Sequence, residues 1–283
     1  MNNLTNKTAL VTGGARGIGK VITKTLIKEG AKVLICSRNT EELEKTAKEL
    51  DSSGRSIFYL TADVSKLEDC QKLFKFIKSK FKSLDILVNN AGIYGPIGLL
   101  ETNDIKLWSK TIEINLLGTV YCTQLALEMM KQQKKGKIIN LAGAGVGGKR
   151  PLSRFSAYYT SKGAVTAFTE VVASEVIDDN IQVNCISPGA INTYFTEFLL
   201  SQGEEKAGTM YQQALKQKET GGDPPELGAN LVVFLASDKS NNITGKLLSA
   251  KWDKIEDLEK LSGNEFSKFT LKRIDGEMFS EKK

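Results

Sequence analysis

Tyr158 and Lys162 stand four residues apart in Tyr158-Tyr159-Thr160-Ser161-Lys162, so on a helix their side chains share one face. A free phenol ionises near a pKa of about 10 and moves protons poorly at neutral pH, whereas a cation fixed beside it favours the phenolate and lowers that value. The pair could therefore deliver a proton to a carbonyl oxygen. Taken alone, it is also what any amphipathic helix presents to solvent, so its weight depends on the rest of the chain. The 283 residues include no histidine. That removes Ser-His-Asp and Cys-His nucleophiles, histidine-ligated metals and imidazole bases, and leaves proton transfer to Tyr, Lys, a carboxylate or water.

The elements that must position this pair follow from the hydrophobic pattern. A short apolar run at 7–12 leads into Gly13-Gly14-Ala15-Arg16-Gly17-Ile18-Gly19 and then into a helical pattern closed by Gly30, which reads as strand, glycine turn, helix. Backbone N–H groups at a helix N-terminus attract phosphate, and glycines let a pyrophosphate approach without a Cβ in the way. The second strand ends at Ser37-Arg38, where a dinucleotide fold usually carries the acid that binds the adenosine 2′-hydroxyl. No acid is there, and Arg16 and Arg38 could meet a 2′-phosphate as charge-assisted forks. The expectation is NADP(H) in preference to NAD(H), with NAD(H) still open. Beyond this point the alternation predicts helix 40–52, strand 56–61, helix 66–81, strand 84–89, helix 104–133, strand 137–142, helix 155–178, strand 181–186, helix 224–236 and strand 245–250. Near-continuous apolar strands of this kind belong to a parallel sheet covered on both faces. The fold class is thus α/β, a Rossmann-like doubly wound parallel sheet of about seven strands, with residues 1–250 as one domain.

Composition narrows the function classes. The 41% hydrophobic and 25% charged fractions are those of a globular protein. The net charge of +6 comes from scattered lysines, with no basic block interleaved with aromatics to suggest a nucleic-acid partner. No apolar run reaches the roughly 18 residues of a membrane span, and the opening residues lack a signal pattern, so a cytoplasmic protein with no membrane partner is expected. Cys36, Cys70, Cys122 and Cys185 lie far apart inside apolar segments, as reduced core thiols do, and no metal site is expected.

Four features occur in series: Thr12-Gly13-x-x-x-Gly17-Ile18-Gly19, Asn89-Asn90-Ala91-Gly92, Tyr158-x-x-x-Lys162 and Ser187-Pro188-Gly189. In that order and spacing, over about residues 5–250, the chain closely resembles the short-chain dehydrogenase/reductase family in its single-domain form. The resemblance implies an oxidoreductase that moves a hydride between a nicotinamide and a carbonyl or carbinol carbon of a small-molecule substrate. Tyr158 would be the general acid for reduction and the base for oxidation, while Lys162 would lower its pKa and bind the nicotinamide ribose. Asn115 would hold a water in the proton relay. Asp63 and Val64 would sit beside the adenine, and Asn90, Ala91 and Gly92 along the adenosine ribose. Pro188, Gly189, Ile191 and Thr193 belong to the segment that would clasp the nicotinamide. The resemblance also implies a homodimer or homotetramer formed through helices 104–133 and 155–178.

The chain departs from the family pattern in two places. The family's catalytic serine beyond the fifth strand is missing, and Gly143, Ala144 and Gly145 occupy that stretch. Three outcomes stand: a backbone N–H or water of this loop substitutes, Ser153 or Ser156 folds in, or turnover is lost and the chain is a dinucleotide-binding regulatory or scaffold protein. The first is preferred, with Ser156 expected to cap its helix and Gly143→Ser expected to raise activity. The second departure is residues 251–283, where Trp252, Ile255, Leu258 and Leu261 suggest a helix with one apolar stripe that packs on the domain or a neighbour. Residues 190–222 are expected to be a substrate lid, and Lys149, Arg150 and Arg154 could draw an anionic substrate.

Overall fold

The computed structural model describes residues 3–143, 145–147, 152–261 and 269. Its centre is one parallel sheet of β1 (Thr8–Thr12), β2 (Lys32–Ser37), β3 (Ile57–Thr61), β4 (Ile86–Asn89), β5 (Gly136–Leu141), β6 (Ile181–Ser187) and β7 (Leu247–Ser249), in the order β3-β2-β1-β4-β5-β6-β7. Side chains on a strand point alternately to the two faces, and the buried sets divide accordingly. Ala9, Val11, Val33, Ile35, Ile86 and Val88 enter one core with α1 (Gly17–Lys28), α2 (Thr40–Leu50) and α10 (Pro225–Ala236). Leu10, Leu34, Cys36 and Leu87 enter the other with α3 (Leu67–Lys80), α5 (Gly118–Gln133) and α6 (Ser156–Glu175). The doubly wound sheet is therefore dictated by strands that are apolar on both faces. All four cysteines are buried and free.

The strand order reverses between β1 and β4: the chain runs outward from β1 to β3, then crosses back to place β4 on the other side of β1. Ligands of open α/β sheets bind at such a switch, beyond the carboxyl ends of the strands. Gly13 follows β1 there and Asn90 follows β4.

Two expectations need correction. The helix predicted over 104–133 is α4 (Ile105–Ile112) and α5 joined by a π-helical turn at Glu113–Leu117. Such turns insert one residue into a helix and often mark functional sites; this one contains Asn115. The stripe predicted at the C-terminal end is real only from Ile255 onward. Leu258 of α11 (Ile255–Leu258) is buried, and Ile255, Leu261 and Phe269 pack on the first core. Trp252 is 76% exposed, because a turn closed by Ser249 N–H donating to Asp253 Oδ2 at 2.6 Å precedes the helix and turns it outward.

Candidate functional site

The glycine turn is shaped for close approach. Gly13 has φ +65°, and a Cβ on Gly19 would lie 2.3 Å from Gly13 O and 2.4 Å from Asn90 Nδ2, so only glycine fits at 19. Thr12 ties the turn to the segment after β4: its hydroxyl accepts from Asn90 N and Ala91 N at 3.0 Å each. Asn90 Nδ2 in turn donates to Thr12 O at 2.8 Å and Gly13 O at 3.0 Å. Beside them opens a cleft of about 860 Å³ lined by Gly13, Arg16, Gly17, Ile18 and Gly19, by Ser37 and Arg38, by Asp63 and Val64, by Asn90, Ala91 and Gly92, and by Thr193. These sequence-predicted positions, spread over 180 residues of chain, converge on one cavity. A cradle that a Cβ would fill, at the switch point and at the start of α1, fits the pyrophosphate of a nicotinamide dinucleotide.

At the outer end of the cleft, Arg16 lies 3.5 Å from the Glu42 carboxylate and 4.6 Å from the centroid of the Tyr194 ring. The ion pair is exposed and worth little. Neither Glu42 nor Tyr194 was anticipated from sequence. Burial pushes the Asp63 carboxyl up, but hydrogen bonds from Ser65 Oγ at 2.6 Å and Ser65 N at 3.0 Å, with Lys110 and Arg38 nearby, hold it below the usual range. Asp63 thus stays ionised.

At the inner end, Tyr158, Lys162 and Asn115 gather behind the cleft wall. Lys162 Nζ donates to Leu141 O at 2.7 Å. A Cβ on Gly92 would lie 3.2 Å from Asn115 Oδ1 and 3.6 Å from Lys162 Nζ, which puts both polar ends beside the Asn90-Ala91-Gly92 turn. Asn115 engages both ends of its amide: Oδ1 accepts from Ile93 N at 2.9 Å, while Nδ2 donates to Ile93 O at 2.9 Å and Ser161 Oγ at 3.0 Å. Burial lowers Lys162 to about 8. The Tyr158 phenol, 8% exposed, is pushed well up by burial and then by Tyr94, opposite to the lowering expected from Lys162, because burial strips the phenolate of water.

The missing serine has a structural counterpart. A Cβ on Gly143 would lie 2.6 Å from Tyr158 Oη and Cε1, so the phenol occupies the space a side chain would need. Ala144 lies outside the described residues, and Gly145 has φ +90° with its carbonyl 3.4 Å from Tyr159 Oη. Ser156 does not cap α6: its hydroxyl accepts the Trp108 indole N–H at 3.1 Å, and Ser153 is exposed.

Pro188, Gly189 and Ile191 stand outside the cleft lining and build the turn that precedes the helices at 194–220, with Ala190 N donating to Asp223 Oδ2 at 2.8 Å. Thr193 caps α7 (Tyr194–Ser201), accepting from Phe195 N at 3.2 Å. With α8 (Gly203–Ala207) and α9 (Thr209–Thr220), α7 sits over an apolar cluster that contains Tyr94, Phe155, Tyr158 and Phe195. Arg154 is spent on this lid: its guanidinium donates to Glu205 O at 2.7 Å and Lys206 O at 3.4 Å. Its Nη1 is thus committed to these carbonyls, while Lys149 and Arg150 lie outside the described residues. Sequence reasoning singled out neither Tyr94 nor Tyr194, whose types are those of ordinary core aromatics, whereas Phe195 belongs to the 190–222 stretch expected as a lid; the nearness of Tyr94 to the Asn90-Ala91-Gly92 turn and of Tyr194 to Thr193 was the only signal.

A family model described as short chain dehydrogenase matches residues 7–203. The chain belongs to the short-chain dehydrogenase/reductase family. It is 33% identical to a diacetyl reductase [(S)-acetoin forming] of Staphylococcus epidermidis over 85% of this chain and 95% of the relative. Among solved structures, a variant of actinorhodin polyketide ketoreductase with NADPH superposes with a TM-score of 0.76 at 29% identity, covering 86% of this chain and 95% of that one. An NAD+-bound xylitol dehydrogenase does so with a TM-score of 0.79 at 27% identity, covering 87% and 98%. The short-chain dehydrogenase/reductase described here is thus an oxidoreductase acting on CH–OH or C=O groups with a nicotinamide dinucleotide. No helix among the described residues is long and apolar enough to cross a membrane.

Proposed function

We propose that this enzyme is an NADP(H)-preferring carbonyl reductase in which Tyr158 delivers the proton and Lys162 and Asn115 organise the site around it. The observation that carries the reading is the meeting of Tyr158 with the Gly143 backbone on one side and of Lys162 and Asn115 with Gly92 on the other, next to the glycine cradle. Gly13, Arg16, Gly17, Ile18 and Gly19 would hold the pyrophosphate, Arg16, Ser37 and Arg38 the 2′-phosphate, Asp63 and Val64 the adenine, Asn90, Ala91 and Gly92 the ribose, and the segment from Pro188 through Gly189, Ile191 and Thr193 the nicotinamide. The bound nicotinamide supplies or accepts the hydride. Tyr158, kept protonated at neutral pH by burial, gives its proton to the carbonyl oxygen as charge develops there, which suits reduction. Gly143 and Gly145 would border that oxygen with backbone alone. Phe195 and its lid exclude water when closed.

Residues 1–250 would act as one catalytic domain, in the cytoplasm, and as a homodimer or homotetramer through α5 and α6. Val171 of α6 and Ile177 just beyond it are 56% and 64% exposed, which supports pairing there, and sedimentation of a monomer at micromolar concentration would refute it. The decisive experiment follows NADPH oxidation against diacetyl, acetoacetate and cyclohexanone, with cofactor binding measured by calorimetry. Tyr158→Phe should abolish turnover and leave NADPH binding within about twofold. Wild-type kcat in that variant would refute the mechanism. Tight binding without turnover on any carbonyl would favour a regulatory dinucleotide-binding protein, a reading supported by the aromatic cover over Tyr158.

A further inference from the structure

The loop after β5 brings no hydroxyl to Tyr158. Gly143 lies directly against the phenol, and its neighbour Gly145 is likewise without a side chain. The other hydroxyls near the start of α6 are engaged or turned away. Ser156 holds the Trp108 indole. Ser161 donates to Tyr158 O at 2.7 Å and accepts from Asn115. Tyr159 donates to Gly145 O, and Ser153 is exposed.

Tyr94 is different. Its ring stands edge-on to Tyr158, with centroids 4.8 Å apart and planes at 74°, and Tyr94 itself lines the cleft. Its hydroxyl makes no hydrogen bond among the described residues, although the ring is packed against Phe155 and Phe195 at 5.4 and 4.5 Å. The residues on either side of it are pinned. Ile93 is held at both N and O by the Asn115 amide. Gly95, at φ +72°, is so close to the Thr111 side chain that a Cβ there would overlap Thr111 Oγ1. A phenol without a hydrogen-bond partner among the described residues, fixed at both flanks and lining the cleft beside the proposed acid, is a preorganised donor.

We propose that Tyr94 is a second catalytic residue, whose hydroxyl donates a hydrogen bond to the substrate's carbonyl oxygen beside Tyr158. This inference rests on the carbonyl reductase reading above. Donors aimed at an oxygen that gains charge act mainly in the transition state, where each removal typically costs about 10²–10³ in rate. Burial pushes the Tyr94 phenol up to about 12, so it remains an O–H donor across the neutral range. Tyr94 also raises the Tyr158 phenol, as a group does when the two oxygens share one field. On this account the amide of Asn115 positions Tyr94 by fixing Ile93 at both N and O.

Tyr94→Phe tests the role while keeping the ring and its three edge contacts, so the fold is retained. With diacetyl, acetoacetate and cyclohexanone as carbonyl probes, kcat should fall by about 10²-fold, with KM, NADPH affinity and Tm close to wild type. A kcat within threefold of wild type overturns the proposal. The carbonyl stretch of cyclohexanone bound with the oxidised dinucleotide, which cannot reduce it, gives a readout free of turnover. Loss of one donor should raise the stretching frequency in Tyr94→Phe, and spectra identical to wild type again overturn the proposal. Wild-type kcat in Tyr158→Phe would instead overturn the carbonyl reductase mechanism itself, so the two failures are told apart.

Discussion

Gly143→Ser is the substitution on which a family-based intuition and this structure disagree most sharply. The new Cβ would stand 2.6 Å from Tyr158 Oη and Cε1 and 2.7 Å from Cζ. Regaining the 3.4 Å of ordinary contact requires the phenol or the loop to move by about 0.8 Å. Tyr158 is boxed by Tyr94 at 4.8 Å and Phe195 at 6.2 Å, so its ring cannot yield without disturbing the aromatic cluster. Overpacking of this kind costs about 1–3 kcal/mol. A displacement of a reacting group by about 1 Å costs about 10²-fold in rate. Gly143→Ser should therefore lower kcat/KM by about 10²-fold and Tm by several degrees, with NADPH affinity close to wild type. Gly143→Ala should be equally damaged, since the obstacle is the Cβ and not the hydroxyl. Steady-state kinetics with a proven carbonyl substrate and a thermal melt decide it. A Gly143→Ser enzyme as active and as stable as wild type would show that Tyr158 does not depend on this empty space.

Ser37→Asp adds a carboxylate to the cleft that Arg16 and Arg38 also line and should shift the NADPH-over-NADH preference by about 10-fold or more toward NADH; calorimetry with both cofactors checks it, and an unchanged ratio refutes the assignment. Arg154→Gln removes charged donors from the Glu205 and Lys206 carbonyls and should speed proteolysis within 200–210 by about fivefold, at a cost of on the order of 1 kcal/mol for a largely exposed contact; unchanged cleavage would mean the lid is held by its apolar face alone. Lys137 is 3% exposed and burial lowers it to about 8, against about 10.4 when unfolded. Below about pH 8 the ammonium is buried at full cost, and stability returns as pH rises from about 8 to about 10.4 because the folded form has already released the proton. Lys137→Met should accordingly stabilise the protein at pH 7 by on the order of 2 kcal/mol, allowing for its lost bond to Ser240 Oγ, and the gap should narrow toward pH 10 in denaturant melts. A gap independent of pH would refute it.

The sheet was legible because each strand carries its own evidence. Thr8–Thr12 is buried throughout, and alternate residues feed alternate cores. The cofactor cradle was legible for a related reason: Gly13 and Gly19 are demanded by local backbone sterics that no other residue satisfies. What escaped notice depends on contacts distant in the chain. Trp108 meets Ser156 across 48 positions, and Arg154 meets Glu205 across 51, so neither partner betrays the other. The Tyr158 phenol is shifted by burial among Tyr94 and Phe195, and a spacing of four residues to Lys162 carries no information about desolvation. The π-helical turn left the apolar spacing of 104–133 almost unchanged, since one added residue among thirty hardly alters a helical pattern.

That extra residue divides the long helix into two segments out of phase with each other. Successive residues of an α-helix are rotated by about 100°, so deleting one residue from Glu113–Leu117 would let the backbone close into a single regular rod while swinging α4 by about that angle relative to α5. The face of α5 that buries Cys122, Ala126 and Met130 would stay where it is. Trp108 would leave Ser156, and Thr111 would leave Gly95. Such a deletion mends every main-chain hydrogen bond and still misaligns the two halves, which makes the turn a phase marker: its value to the protein lies in the angle it sets and not in the bonds it forgoes.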